Sequence, residues 1–193
     1  MGLTIFYSGK LRSPILLDAL VKEASDACMY VGWPFSYLKR SNIMPMKGII
    51  INPQGSEPIM LSFIEDGTLA DPHRFMLWED PQSLEVNLDE DGICFTKTQY
   101  AGADAHMAII KFLRYISEKF FSSFRLEDES GYWNQNDDEA CRKRFGEPSL
   151  ITDSHENVLN SLLGYEDEDE DEDDYISYSA EIDEWIKERI AVN

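Results

Sequence analysis

The chain has 193 residues, 37 acidic and 17 basic, and a formal net charge of −20. This length suits one domain with an appendage, and the 43% hydrophobic and 12% aromatic content is enough to build a core. The charge excludes nucleic acid or an anionic membrane as a partner of the surface as a whole, because binding phosphates needs a basic face.

No stretch approaches the roughly 18 uninterrupted apolar residues of a membrane span. The opening Met1-Gly2-Leu3-Thr4-Ile5-Phe6-Tyr7 has no basic region followed by a long apolar one, so it reads as a first strand. Phe6 stands where a myristoylation signal would carry Ser or Thr. Cys28, Cys94 and Cys141 are far apart and odd in number, which points to small buried apolar residues rather than a disulfide framework or zinc site. The expected compartment is a reducing cytoplasm.

In chain order, Leu3 to Leu11 predicts a strand ending in a turn-like Ser8-Gly9-Lys10 cluster. Ser13-Pro14 then opens a helix over 14–31, with a hydroxyl N-cap, proline in the first turn and Asp18 near the positive end of the dipole. Leu17, Leu20, Val21, Ala24, Ala27, Cys28 and Val31 form its apolar stripe, and Gly32 and Pro34 stop it. Phe35–Leu38 predicts a short strand, 48–52 a strand buried on both faces, and 58–64 the next strand. Residues 83–88 and 93–98 are expected to form a hairpin around Asp89-Glu90-Asp91-Gly92.

A second long helix starts near Asp104, its buried face defined by Ile109, Ile110, Leu113, Ile116, Phe120 and Phe121. A strand over 124–127 follows, then a short helix from Asn136 with Glu139 as capping-box partner. Arg142-Lys143-Arg144 is expected to pair within that helix with Asp137, Asp138 and Glu139. Further helices fit 153–163 and 179–190, the latter with Ile182, Trp185, Ile186 and Ile190 on one stripe.

This order predicts an α+β fold: a mainly antiparallel sheet with two principal helices on one face, ferredoxin-like with extra strands, plus C-terminal helices. The division is a domain over 1–150, a helix over 151–163, an acidic linker over 164–175 and a C-terminal amphipathic helix over 176–193. Within the linker, Glu166 to Asp174 is nine consecutive acidic residues. Such a run is foremost a solvated linker; a docking strip for a basic partner and weak divalent-cation binding are the alternatives. The C-terminal stripe either docks on the domain or enters a partner's groove. A helix of about 12 residues is marginal alone, which favours docking of Trp185.

Leu3-Thr4-Ile5-Phe6-Tyr7-Ser8-Gly9-Lys10, Lys97-Thr98-Gln99-Tyr100-Ala101-Gly102 with His106, and Asp128-Glu129-Ser130-Gly131-Tyr132-Trp133 together resemble a family of uncharacterised bacterial α+β proteins, over about residues 1–145. The resemblance implies a bacterial cytoplasmic origin and transfers neither an activity nor catalytic residues.

Familiar motifs fail on their chemistry. His155-Glu156-Asn157-Val158-Leu159 has Leu159 where a zinc site needs its second histidine. Asp89-Glu90-Asp91-Gly92 lacks the later ligands of a calcium loop, and no phosphate-binding or nucleophile-elbow motif occurs. No metal or cofactor is expected.

The remaining cluster is distributed. Lys97, Gln99 and Tyr100 end a strand, His106 begins the next helix, and Asp128, Glu129, Tyr132 and Trp133 follow the next strand. On one sheet rim, Lys97 and free helix N–H groups would hold an anion, and His106 would act as acid or base tuned by Asp128 or Glu129. The bland reading is local hydrogen bonding and core cover. The favoured function is binding rather than catalysis: an acidic partner-binding protein, an inhibitor or adaptor of the toxin-neutralising type, facing a basic protein. The competing readings are an enzyme or binding protein for a small anion at the Lys97/Gln99/His106 rim, and a structural subunit of a homo-oligomer.

Overall fold

The computed structural model describes residues 3–40, 45–73, 93–146 and 177–191. The expected strand over 83–88, the helix over 153–163, His155 and the acidic run lie outside them.

The fold is α+β, and among the described residues it has two antiparallel sheets of three strands each in place of one larger sheet. In the first sheet β1 (Thr4–Leu11) lies at the centre, flanked by β5 (Cys94–Lys97) and β6 (Phe121–Asp128). In the second, β3 (Lys47–Ile51) is central between β2 (Phe35–Leu38) and β4 (Ile59–Phe63). Register in β1 places Ile5, Tyr7 and Leu11 inward, while Phe6 and Lys10 face out, the period-two pattern of a half-buried strand. All of β4 is buried, whereas β3 leaves Ile50 partly exposed, so only part of β3 is buried on both faces.

Tyr7 ties the sheets together. Its hydroxyl accepts from the Met60 N–H at 2.8 Å and donates to the Met60 carbonyl at 3.2 Å. Burial pushes this phenol well above its ordinary range. Backbone bonds Leu11 N–H to Gly67, Leu69 N–H to Gly9 and Glu57 N–H to Lys97 continue the seam. At Gly9 an added Cβ would lie 2.6 Å from the Ser123 carbonyl oxygen, so no larger residue fits between β1 and β6 there.

Helix α1 (Leu17–Tyr30) packs on β3. It is preceded by a 3₁₀ turn, Pro14–Leu16, and Ser13 makes no side-chain cap, a correction to the expected α-helix from 14. Proline's fixed φ fits this tight turn equally well. Helix α2 (Gly102–Phe120) carries the expected stripe, but Phe121 leaves it: its backbone is extended and it begins β6. Its ring stays in the core against Phe63 and Phe124, which is why periodicity placed it on the helix.

A one-turn helix α3 (Tyr132–Gln135) and α4 (Asp138–Phe145) follow. Asp137, not Asn136, caps α4, accepting from the Ala140 N–H at 3.0 Å. Asn136 instead takes the left-handed conformation that closes α3. Arg142 reaches across to Asp104 of α2 at 3.9 Å, an interhelical contact where pairing within α4 was expected.

Helix α5 (Tyr178–Ala191) packs on α2 and α1. Asp104 accepts from Ser177 Oγ at 2.8 Å and the Ser179 N–H at 3.3 Å, so it holds the start of α5 rather than serving only its own helix. Lys111 donates to Ser179 Oγ and Asp183 at 2.7 and 2.6 Å. Trp185, 1% exposed, meets Tyr115 edge to face at 5.1 Å. Ile182 is also buried, but Ile186 is only partly so and Ile190 is 66% exposed: the contact ends before the stripe does.

Cys28, Cys94 and Cys141 are buried thiols outside any disulfide, and burial pushes the Cys28 thiol up to about 12. No helix among the described residues is long and apolar enough to cross a membrane.

Candidate functional site

Strand β5 alternates, with Cys94 and Thr96 inward and Phe95 and Lys97 toward the other face. Thr98 then turns inward and is fully buried. This places the Thr98 hydroxyl 2.6 Å from His106 Nδ1, one turn into α2. The other ring nitrogen of His106 meets Asp128 Oδ1 at 3.0 Å and Ser130 Oγ at 2.9 Å. A carboxylate only accepts, so Nε2 donates to Asp128, while Thr98 Oγ1 lies between Nδ1 and the Leu3 carbonyl, 3.3 Å away.

The turn after β6 completes the network. Asp128 Oδ1 accepts from the Ser130 N–H, and Oδ2 accepts from Ser130 Oγ and the Trp133 N–H, at 2.8–3.0 Å. Gly131, at φ 83°, makes the bend that brings these donors together. Burial alone would raise the Asp128 carboxyl. His106 and the two N–H groups outweigh it and hold the group down at about 2, from an ordinary 3.8. The Phe145 ring packs 5.1 Å from the imidazole.

Serine, histidine and aspartate thus meet, but not in the order that activates a nucleophile. Ser130 and Asp128 share one nitrogen of His106, and the Ser130 hydroxyl gives its proton to Asp128. The hydroxyl facing the other ring nitrogen is that of Thr98, and both Thr98 and His106 are closed from solvent. The arrangement can hold β5, α2 and the turn after β6 in register.

The other rim residues have separate partners. Lys97 lies outside this network, its side chain 54% exposed and 3.8 Å from Glu57. Gln99 sits partly exposed in the turn after β5. Glu129 accepts from the Thr4 N–H at 2.8 Å. Buried Tyr132 donates to Asp138 at 2.9 Å. The Trp133 ring carries the Arg114 guanidinium at 4.9 Å. His106 and Asp128 are brought together with the Trp133 backbone; Lys97, Gln99 and Glu129 do not join them.

A different surface combines exposed apolar groups with charge. Met29 and Tyr30, at the end of α1, are 65% and 41% exposed. Glu181, Glu184 and Glu188 of α5, three and four residues apart on one side of the helix, lie close to Tyr30, and Glu184 hydrogen-bonds its hydroxyl. Loss of solvation and then the charges of Glu184, Glu188 and Glu181 raise the Tyr30 hydroxyl above its ordinary value. The signal was present in the sequence, since Met29 and Tyr30 fall off the stripe of α1. That α5 would bring carboxylates beside them was not.

Comparison of the chain with known protein families, with curated proteins and with solved structures finds no match.

Proposed function

We propose that this chain works by binding a basic protein partner, as an inhibitor or adaptor, and that the contact surface is the seam of α1 and α5. The observation that carries the reading is the pair Met29 and Tyr30, exposed beside the carboxylates of Glu181, Glu184 and Glu188. Tyrosine and methionine are enriched at interface centres because they offer much contact area for little lost freedom, and a carboxylate rim selects a cationic partner. The net charge of −20 would speed the encounter and repel nucleic acid. The rim around His106 supports this reading by contrast, since its polar groups answer one another.

A labelled Lys-rich amphipathic peptide, titrated into the full chain at about 0.15 M salt, tests the proposal; screening there acts over about 8 Å. The expected result is a set of amide shifts centred on residues 29–30 and 181–188. Tyr30→Ala combined with Glu184→Gln should weaken binding about tenfold. Shifts confined to the acidic run at 166–174, unchanged by these substitutions, would show the charge to be non-selective and sink the reading.

A further inference from the structure

Strand β6 is eight residues long and, among the described residues, is bonded on one side only, to β1. Which of its groups face outward follows from register. The Glu129 N–H donates to the Thr4 carbonyl, so the pairs Thr4/Glu129, Phe6/Glu127 and Ser8/Arg125 are the hydrogen-bonded ones. The N–H and C=O groups of Phe124 and Leu126 therefore point away from β1. No hydrogen bond among the described residues reaches them.

Long edges are usually blunted by proline, lysine, a bulge or a cover. Here Phe124-Arg125-Leu126-Glu127 holds neither proline nor lysine, and the one irregularity in the β1–β6 ladder precedes it: Ser123 pairs with Lys10 and Phe121 with Leu11, so Ser122 bulges at the start of the strand. Phe124, Leu126 and Trp133 are only partly buried there, and with Phe6, Arg125 and Glu127 they border a depression of about 530 Å³.

We propose that the occupant of this edge is β6 of a second copy of the chain, paired antiparallel about a two-fold axis through Leu126. Charge selects the register. Centring on Arg125 sets two arginines opposite each other, and centring on Glu127 sets two glutamates opposite each other. Centring on Leu126 sets Arg125 of each copy opposite Glu127 of the other, twice by symmetry. In that register Leu126 exchanges two N–H···O=C bonds across the axis, as the outward direction of its groups requires. The two three-stranded sheets become one of six strands, and both edges at β6 disappear. Each copy's large net negative charge opposes association, so assembly is expected to strengthen as salt rises to moderate levels.

Sedimentation of the full chain tests this. The wild type is expected to be dimeric at moderate salt. Arg125→Glu and Glu127→Arg each place like charges across the axis and should each raise the dimer Kd at least about tenfold. An equimolar mixture of the two variants restores both opposite-charge pairs and should dimerise as a heterodimer, which also shows both variants to be folded. A monomeric wild type overturns the proposal. So does a dimer indifferent to both substitutions, or a pair of monomeric variants whose mixture stays monomeric.

Discussion

The network around His106 and the seam of α1 and α5 use the same kinds of side chain to opposite ends. At the network a histidine, an aspartate, a serine and a threonine are buried together, and each donor meets an acceptor within the protein. At the seam the Tyr30 phenol meets the Glu184 carboxylate at the surface, next to exposed Met29. A buried polar group contributes stability only while its partners remain, whereas an exposed one stays available to something outside the chain. Residue chemistry pointed to the rim; access points to the seam.

The comparison breaks most readily at Asp128. Asp128→Ala leaves the Ser130 and Trp133 N–H groups without their acceptor and His106 Nε2 with Ser130 Oγ alone, and should lower stability by about 4 kcal/mol in urea unfolding at neutral pH. A loss under about 1 kcal/mol would mean that the network is not the clasp described. Trp185→Ala should follow at about 3 kcal/mol, from the lost contact with Tyr115 and the cavity left between α5 and α2. If unfolding of that variant matches the wild type, α5 is not stabilised by docking.

Acid sharpens the contrast further. Asp128 has a folded pKa of about 2 against an ordinary 3.8, so the unfolded chain binds the proton more readily. Its contribution is complete above about pH 4 and is lost as pH falls through about 2, a change of roughly 2 kcal/mol. The difference in stability between wild type and Asp128→Ala should therefore shrink as pH falls from about 4 through about 2. A constant difference throughout would remove the ionic part of the account. The smallest effects belong to the exposed groups. Lys97→Ala and Tyr30→Ala should each change stability by no more than about 0.5 kcal/mol, and only Tyr30→Ala should weaken peptide binding. A large destabilisation by Tyr30→Ala would move that residue from the contact surface to the fold.

Among the described residues, the sequence by itself determined the elements: β1, α1, α2, β6 and α5 follow from hydrophobic period and from turn residues that no packing overrides. It also determined that the chain is acidic, and it placed the three cysteines at buried positions. It marked His106, Asp128 and the turn after β6 as neighbours, since strand ends and helix starts on one rim converge. Tertiary structure decided the rest. Only the packing of the first sheet turns the Thr96 face of β5 inward and leaves Lys97 outside, and only the packing of α5 buries Trp185 while leaving Ile190 in water. Phe121 left its helix because an aromatic ring can reach the same core from an extended backbone. The division into two sheets, the seam beside Tyr30 and the open edge of β6 rest on contacts between residues far apart in the chain, which local periodicity does not encode.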